Sequence, residues 1–142
     1  MADALTLHWN IEGGDSNTAR QQQAAFEALL GNARLAPARR PVPAAPGEPE
    51  AGLAAREVPL WRLDAAALEA LRELLPDGLF GYDPGQAAAV EDPVFFRQGK
   101  LFWAVYSRAG EVRCHLHAWE ILELELQGVR HQSLGPVEPD PA

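Results

Sequence analysis

Apolar and polar residues alternate near the N-terminus of the chain, and this alternation predicts a first β-strand. The apolar positions are Leu5, Leu7, Trp9 and Ile11, and the positions between them are Thr6, His8 and Asn10. A strict period of two is typical of a strand that buries one face. We therefore predict a half-buried strand over residues 5–11.

A helix is predicted to follow this strand, over residues 16–30. The segment begins with turn and cap residues, continues with strong helix formers and reaches Gly31, where a left-handed C-terminal cap is expected. Its apolar positions recur at helical spacing. The residues predicted to face the core are Ala25, Phe26, Leu29 and Leu30.

The character of the sequence changes over residues 34–56, which carry prolines at positions 37, 41, 43, 46 and 49. Proline lacks the amide donor that helices and sheets use, and the neighbouring alanines offer little surface to bury. We therefore predict a flexible connector within a single domain of residues 1–134, with residues 135–142 as a disordered tail. Arg34, Arg39 and Arg40 are interpreted as solvated; the alternative is that they bind an acidic partner or the acidic half of the chain.

A short strand and a second helix are predicted after the connector. Residues 57–63 favour a strand, which Pro59 would place at a sheet edge or make irregular. Asp64 is the expected N-cap of a helix that Pro76 ends. The apolar stripe of this helix consists of Leu68, Leu71, Leu74 and Leu75.

The clearest pattern is an antiparallel meander that begins at Pro93. Gln98 and Gly99 separate two apolar runs and suit a two-residue turn, because glycine accepts a positive φ. A second hairpin loop is predicted over residues 108–110, where Gly110 suits the left-handed position.

Both faces of this meander must be covered, because its middle strand is apolar on each side. Alternation would direct residues 101, 103 and 105 one way and residues 102, 104 and 106 the other. Helices can cover one face. The second face requires the connector, the loop aromatics or another copy of the chain, which makes a homodimer a hypothesis.

Residues 119–128 are ambiguous between strand and helix. The run LELEL alternates as a strand would, whereas Trp119, Leu122 and Leu126 share one helical face. We predict a further strand with a bulge or turn near Glu120. The predicted fold is therefore α+β: a mostly antiparallel sheet of four or five strands, two helices on one face, and a long connector rich in proline and alanine.

The chain is acidic, and this changes the range of partners to be expected. Twelve Lys and Arg residues stand against 20 Asp and Glu residues, which gives a net charge of −8. Binding to DNA or RNA relies on a basic face, so nucleic acid is excluded as a partner. No run of residues has the ~18 apolar positions of a membrane span, and a single cysteine forms no internal disulfide. We predict a cytoplasmic protein without membrane contact and without a cofactor.

The segment RCHLHAWE, residues 113–120, holds the single cysteine and two of the four histidines. In a strand, Cys114 would point into the core while His115 and His117 would share the opposite face. An H-x-H spacing on a strand suits two ligands of one transition metal, although two ligands do not make a site. The candidates for a third ligand are His8, Glu111, Glu123, Glu125 and His131.

A structural interpretation of the two histidines is favoured over the metal site. Glu123 and Glu125, on a neighbouring antiparallel strand, would form charge pairs with Arg113, His115 and His117. A metal-dependent enzyme or metal-binding protein that uses His115 and His117 is therefore the alternative function.

The favoured function is a small acidic module that binds another protein, of the accessory, inhibitor or immunity type. Its carboxylates would steer it to a basic surface of the partner, and aromatic side chains would anchor it there. The contact surface is predicted to comprise Phe80, Tyr82, Asp83, Glu91, Asp92, Glu123 and Glu125. Catalysis is the less favoured possibility, because no nucleophile is placed beside a base and an orienting acid.

Overall fold

The chain folds around one antiparallel sheet, in the residues that the computed structural model describes: 2–9, 16–75 and 90–135. The strands are β1 (Ala4–Trp9), β2 (Arg34–Pro43), β3 (Leu53–Arg62), β4 (Val90–Arg97), β5 (Lys100–Tyr106) and β6 (Glu111–Cys114). The α-helices are α1 (Ser16–Leu29), α2 (Ala65–Leu74) and α3 (Ala118–Leu126). The strand order is β2-β3-β1-β4-β5-β6. The α+β class is confirmed, but the described part has six strands and three α-helices.

The first strand is confirmed as far as Trp9, and its predicted residues 10 and 11 lie outside the described residues. The strand is not half-buried, because Thr6 on its second face is only 4% exposed. The first helix is confirmed, but Gly31 begins a 3₁₀ helix and is not a left-handed cap.

In α1 the buried residues include Ala19 and Phe26, and Leu30 is buried just after the helix ends. The prediction that Ala25 and Leu29 face the core is wrong. Ala25 is exposed, and Leu29 is 64% exposed. The buried residues Ala19, Phe26 and Leu30 are spaced by seven and four positions, so they share one helical face. Leu29 lies to one side of that face.

The predicted connector over residues 34–56 is wrong, because β2 and β3 form a hairpin. Their register runs from Arg34 opposite Trp61 to Pro43 opposite Leu53. The amide of Ala44 donates to Gly52 at 3.0 Å, so alternate amides of β2 point toward β3 and those of Pro41 and Pro43 would point outward. Proline is tolerated on an edge strand when its missing amide faces away from the neighbour.

Pro59 does not place β3 at an edge of the sheet, which was one of the two alternatives predicted. β3 lies between β2 and β1 in the sheet. Its ladder with β1 comprises only the ends, Ala4 opposite Arg62 and Leu5 opposite Trp61. The register with β2 shifts between Leu35 and Ala38, so the extra residue lies on β2 and not at Pro59. β1 and β3 therefore separate beyond Leu5.

The two faces of the sheet carry two apolar clusters. On the helix side, the buried residues of α1 and α2 pack with β1 and with Trp61. On the other side, Val42 and Leu60 of the hairpin pack with Val94, Phe96 and others from β4 and β5. β2 also contacts β5, although three strands separate them in the sheet. The sheet therefore curls, and the segment interpreted as a connector covers its second face.

The turn and the cap are confirmed. Gln98 and Gly99 have φ values of 52° and 78°, as a two-residue hairpin turn requires. Asp64 caps α2 by accepting the amide of Ala67 at 2.9 Å. Leu71 is buried, but Leu68 is 42% exposed and does not belong to the buried stripe.

The prediction that successive side chains of β5 point to opposite faces is wrong at the start of the strand. Phe95 lies opposite Trp103 and Phe96 opposite Leu101, so Phe102 is an extra residue. A bulge of this kind turns two successive side chains toward one face. Phe102 and Trp103 accordingly both pack against the helix-side cluster, while Leu101 belongs to the other.

The strand predicted over residues 119–128 is wrong, because α3 occupies most of it. Gly128, with a φ of 78°, ends this helix, and the amide of Val129 donates to the carbonyl of Leu124 at 3.0 Å. This is the six-to-one bond of a Schellman cap. None of the helices in the described ranges is long and apolar enough to cross a membrane.

Candidate functional site

Helix α3 is attached to the sheet through its first turn. Arg97, the last residue of β4, forms an ion pair with Glu120 through two pairs of atoms, and Nη2 lies 3.2 Å from Oε2. The guanidinium of Arg97 also lies 4.5 Å from the ring centre of Phe102. Glu120 accepts the backbone amide of His117 at 2.7 Å. One carboxylate therefore caps the helix and binds it to the sheet.

Acid is expected to loosen α3. Burial raises the pKa of Glu120, but the bonds from Arg97 and the His117 amide outweigh it, so the pKa lies below the ordinary value of 4.5. Because the folded pKa is depressed, this contribution is complete above the unfolded pKa and is lost as pH falls through the folded pKa. Glu120→Gln should lower the unfolding free energy by about 1–3 kcal/mol at neutral pH. Urea unfolding measured over acidic to neutral pH checks this.

The control for this prediction is Glu123→Gln, since Glu123 is exposed on the same helix. It should change the unfolding free energy by less than about 0.5 kcal/mol. Equal losses for the two variants, or an acid dependence that survives Glu120→Gln, would contradict the role assigned to Glu120.

The face of α3 that points away from the sheet is apolar. Trp119, Leu122 and Leu126 are 54%, 55% and 80% exposed, and we call these three residues the α3 stripe. The helix buries no residue completely and contains no basic one. Glu123 and Glu125 are exposed beside the stripe. Contiguous apolar exposure of this kind marks interaction surfaces more often than chance.

Two carboxylates of the predicted contact surface are buried instead, so the prediction is corrected for Glu91 and Asp92. The Glu91 carboxylate accepts two bonds from Arg108, at 3.0 and 2.8 Å. Asp92 accepts the amides of Gly47 at 2.6 Å and Ser107 at 2.9 Å, and its own amide donates to the Ser107 hydroxyl at 2.9 Å. Burial raises the pKa of Asp92. These side chains join the β2–β3 loop to the β5–β6 loop.

The remaining residues of that surface divide into two groups. Phe80, Tyr82 and Asp83 lie outside the described residues. Glu123 and Glu125 lie on α3, and Glu125 is 2.9 Å from a ring nitrogen of His131. The structure therefore places two of the seven predicted contact residues at an exposed surface, beside the α3 stripe.

The two histidines of the H-x-H motif are not on a strand. β6 ends at Cys114, and α3 begins at Ala118. His115 is exposed, whereas His117 is the N-cap of α3 and is partly buried. His115 and His117 therefore lack the strand conformation that would place their two imidazoles side by side. In the described ranges, no group of three or more His, Cys, Asp or Glu residues is arranged to hold a metal ion.

The structural interpretation of the histidines is also wrong in detail. Glu123 and Glu125 belong to a helix and not to a strand beside β6. Arg113 pairs instead with Glu111 at 2.7 Å and lies 5.5 Å from the ring centre of Tyr106. Cys114 lies opposite Trp103, and burial raises the pKa of its thiol to about 11. Since the thiolate is the reactive form, this cysteine is poorly suited to nucleophilic chemistry.

A groove of about 280 Å³ opens where β1 separates from β3. Its polar lining includes Thr6, His8 and Arg56, and its apolar lining includes Val42 and Val58. No local pattern indicated this groove, because its two walls are distant in the chain.

Comparison with known proteins gives no relative from which to infer a function. The chain matches no protein-family model, no curated protein and no solved structure. Any functional assignment therefore depends on the surfaces described above.

Proposed function

We propose that the chain is an acidic protein-binding module, of the accessory, inhibitor or immunity type, and that the α3 stripe is its contact surface. The observation that carries this proposal is the exposure of Trp119, Leu122 and Leu126 on one face of a helix whose first turn is attached to the sheet. An attached helix presents its apolar face without the cost of ordering a free segment. We place the module in the cytoplasm, with which its single free cysteine is compatible.

The partner should present an apolar groove with a basic rim. The net charge of −8 and the exposed Glu123 and Glu125 favour approach to a basic surface. The stripe then supplies the apolar anchors, in the mode by which an amphipathic helix occupies a groove. Trp119 should be the strongest anchor, because tryptophan is enriched among residues that dominate interface energies.

Replacing Leu122 with serine should weaken partner binding while leaving the fold intact. A polar side chain at the centre of the stripe would be buried without a bond partner, and we expect affinity to fall at least about tenfold. The matched control is Leu29→Ser, because Leu29 is 64% exposed on α1 and Leu122 is 55% exposed on α3. Affinity capture from the native lysate with the wild type and both variants, followed by titration of each captured protein, measures the difference.

The charges are tested separately by the rate of association. Glu123→Gln combined with Glu125→Gln should slow association at low salt, whereas Glu73→Gln on α2 should not. Equal capture by Leu122→Ser and Leu29→Ser would overturn the contact surface. If the captured species is the chain itself and sedimentation shows a dimer, the stripe is a homodimer interface and not a site for a basic partner.

A further inference from the structure

The last hydrogen-bonded pair between β1 and β3 is Leu5 with Trp61. The amide of Leu63 donates to the carbonyl of Asp3 at 2.9 Å. In an antiparallel ladder, pairs that exchange two backbone bonds alternate with pairs that exchange none. This bond lies beside a pair of the second kind, so the next pair along, Leu5 opposite Trp61, is of the first kind. The amide and carbonyl of Leu5 therefore point toward β3.

The ladder ends where a proline would have to donate. Backbone groups alternate in direction along a strand, so the amide and carbonyl of Leu7 also point toward β3. Two positions before Trp61 on β3 stands Pro59, which has no amide to offer to the carbonyl of Leu7. The ladder accordingly does not include Leu7. Leu7 lines the groove, and it presents a backbone donor and a backbone acceptor there.

Buried polar side chains without partners line the same groove. The hydroxyl of Thr6, a residue that is 4% exposed, has no hydrogen-bond partner among the described residues. The ring nitrogen of Trp9, another lining residue, is also buried and without a partner in that part of the chain. Folded proteins seldom leave buried polar atoms unpaired. The groove is therefore suited to a ligand that carries polar groups of its own.

The charges around the groove favour an uncharged ligand. Arg56 stands against Glu57 and Asp92 in the lining. Both carboxylate oxygens of Asp92 already accept backbone amides, from Gly47 and Ser107. Neither sign of charge has the excess that would select a charged group.

The size and the apolar lining of the groove favour a short segment with small side chains. Its volume of about 280 Å³ is near the lower end of the range of small-molecule pockets, roughly 300–1,000 Å³. Val42, Val58 and Val94 form the apolar lining. A small apolar side chain would be buried against these three valines.

We propose that this groove binds a short, uncharged peptide segment in an extended conformation, which pairs with β1 at Leu7. An amide of the segment donates to the carbonyl of Leu7, and a carbonyl of the segment accepts the amide of Leu7. In this mode, main-chain bonds to an open strand give affinity, and pockets for alternate side chains give specificity. The segment occupies the position on β1 that Pro59 leaves without a donor. The proposal is independent of the α3 stripe, which lies on a different element.

The experiment uses the blocked tripeptide N-acetyl-Ala-Val-Ala-amide as the probe. Amide shifts of Thr6, Leu7 and Val58 in NMR titrations should saturate with a dissociation constant of about a millimolar or lower. Hydrogen exchange at the Leu7 amide should slow at least about tenfold in the saturated complex, because the amide is then hydrogen-bonded. The control is the same peptide with a methyl group on each residue nitrogen, which removes the donors for the Leu7 carbonyl. It should bind at least about tenfold more weakly.

Val58→Phe should weaken binding of the probe at least about tenfold, because the larger ring fills the groove. The matched control is Ala55→Phe, since Ala55 is exposed on the same strand and does not line the groove. Thermal unfolding of both variants reports whether the fold is intact. The methylated peptide tests the same contact without any change to the protein.

Four results would overturn the proposal. One is the absence of saturable shifts at these residues up to about 10 mM of the probe. Another is equal binding of the probe and its methylated form, which would show an apolar contact without strand pairing. The third is equal binding by Val58→Phe and Ala55→Phe. The fourth is tighter binding of a probe with aspartate or lysine in place of the valine, which would show that the groove selects a charge.

Discussion

Replacing Trp61 with alanine is expected to lower the free energy of unfolding by about 3–5 kcal/mol. The Trp61 side chain is completely buried on β3. Its ring lies edge-on to Phe26 of α1, with 5.2 Å between centroids, and 4.9 Å below the guanidinium of Arg34. Truncation therefore leaves a cavity between α1 and the start of the hairpin. Since small domains have only about 5–15 kcal/mol of stability, urea unfolding followed by circular dichroism should show a large shift of the midpoint.

The matched control is Trp119→Ala on α3. Trp119 is 54% exposed, so its truncation should lower the unfolding free energy by clearly less than the truncation of the completely buried Trp61. The same variant should lose the captured partner. A loss of stability comparable to that of Trp61→Ala would show that Trp119 packs into the fold, and the α3 stripe could not then be the contact surface.

Arg108→Met is expected to cost about 3–5 kcal/mol, because it leaves a buried carboxylate without its partner. The Glu91 side chain is 0% exposed, whereas that of Arg108 is 47% exposed. The stem of Arg108 also packs against the backbone of Gly47, where an added Cβ would lie 2.5 Å from Cδ and Cγ. Loss of Arg108 should therefore also loosen the β2–β3 loop. Urea unfolding gives the energy, and hydrogen exchange at Gly47 reports on the loop.

Two further variants separate the buried charge from other effects of Arg108. Arg113→Met removes an ion pair with Glu111 that is partly exposed on both sides, and it should cost less than about 1 kcal/mol. Glu91→Gln combined with Arg108→Met should recover part of the loss, because the unpaired carboxylate is then absent. If the double variant is no more stable than Arg108→Met alone, the penalty does not come from the unpaired carboxylate.

Elements with a strong local pattern were predictable from the sequence. The period of β1, the Asp64 cap and the Gln98–Gly99 turn each depend on a few neighbouring residues. The structure confirms all three. The bulge at Phe102 was not predictable, because it depends on how β4 and β5 pair.

The errors concern positions where a distant contact decides the structure. Residues 119–126 fit a strand and a helix about equally, and the helix is attached to the sheet by Arg97, a residue 23 positions before Glu120. Glu91 and Asp92 looked like surface carboxylates because their donors, Arg108 and Gly47, lie 17 and 45 positions away. The pattern of neighbouring residues does not reveal which distant residues will be in contact. The groove likewise depends on residues that are distant from one another in the chain.

The prolines of β2 also limit how copies of this chain can associate. Pro41 and Pro43 remove two of the donors that the outer side of this strand would otherwise present to a neighbour. A strand from another molecule that paired with that side would lack these backbone hydrogen bonds. β2 therefore resists the continuous extension of the sheet that leads to amyloid-like aggregates. A segment whose composition resembles a spacer therefore protects this edge of the sheet against the addition of a strand.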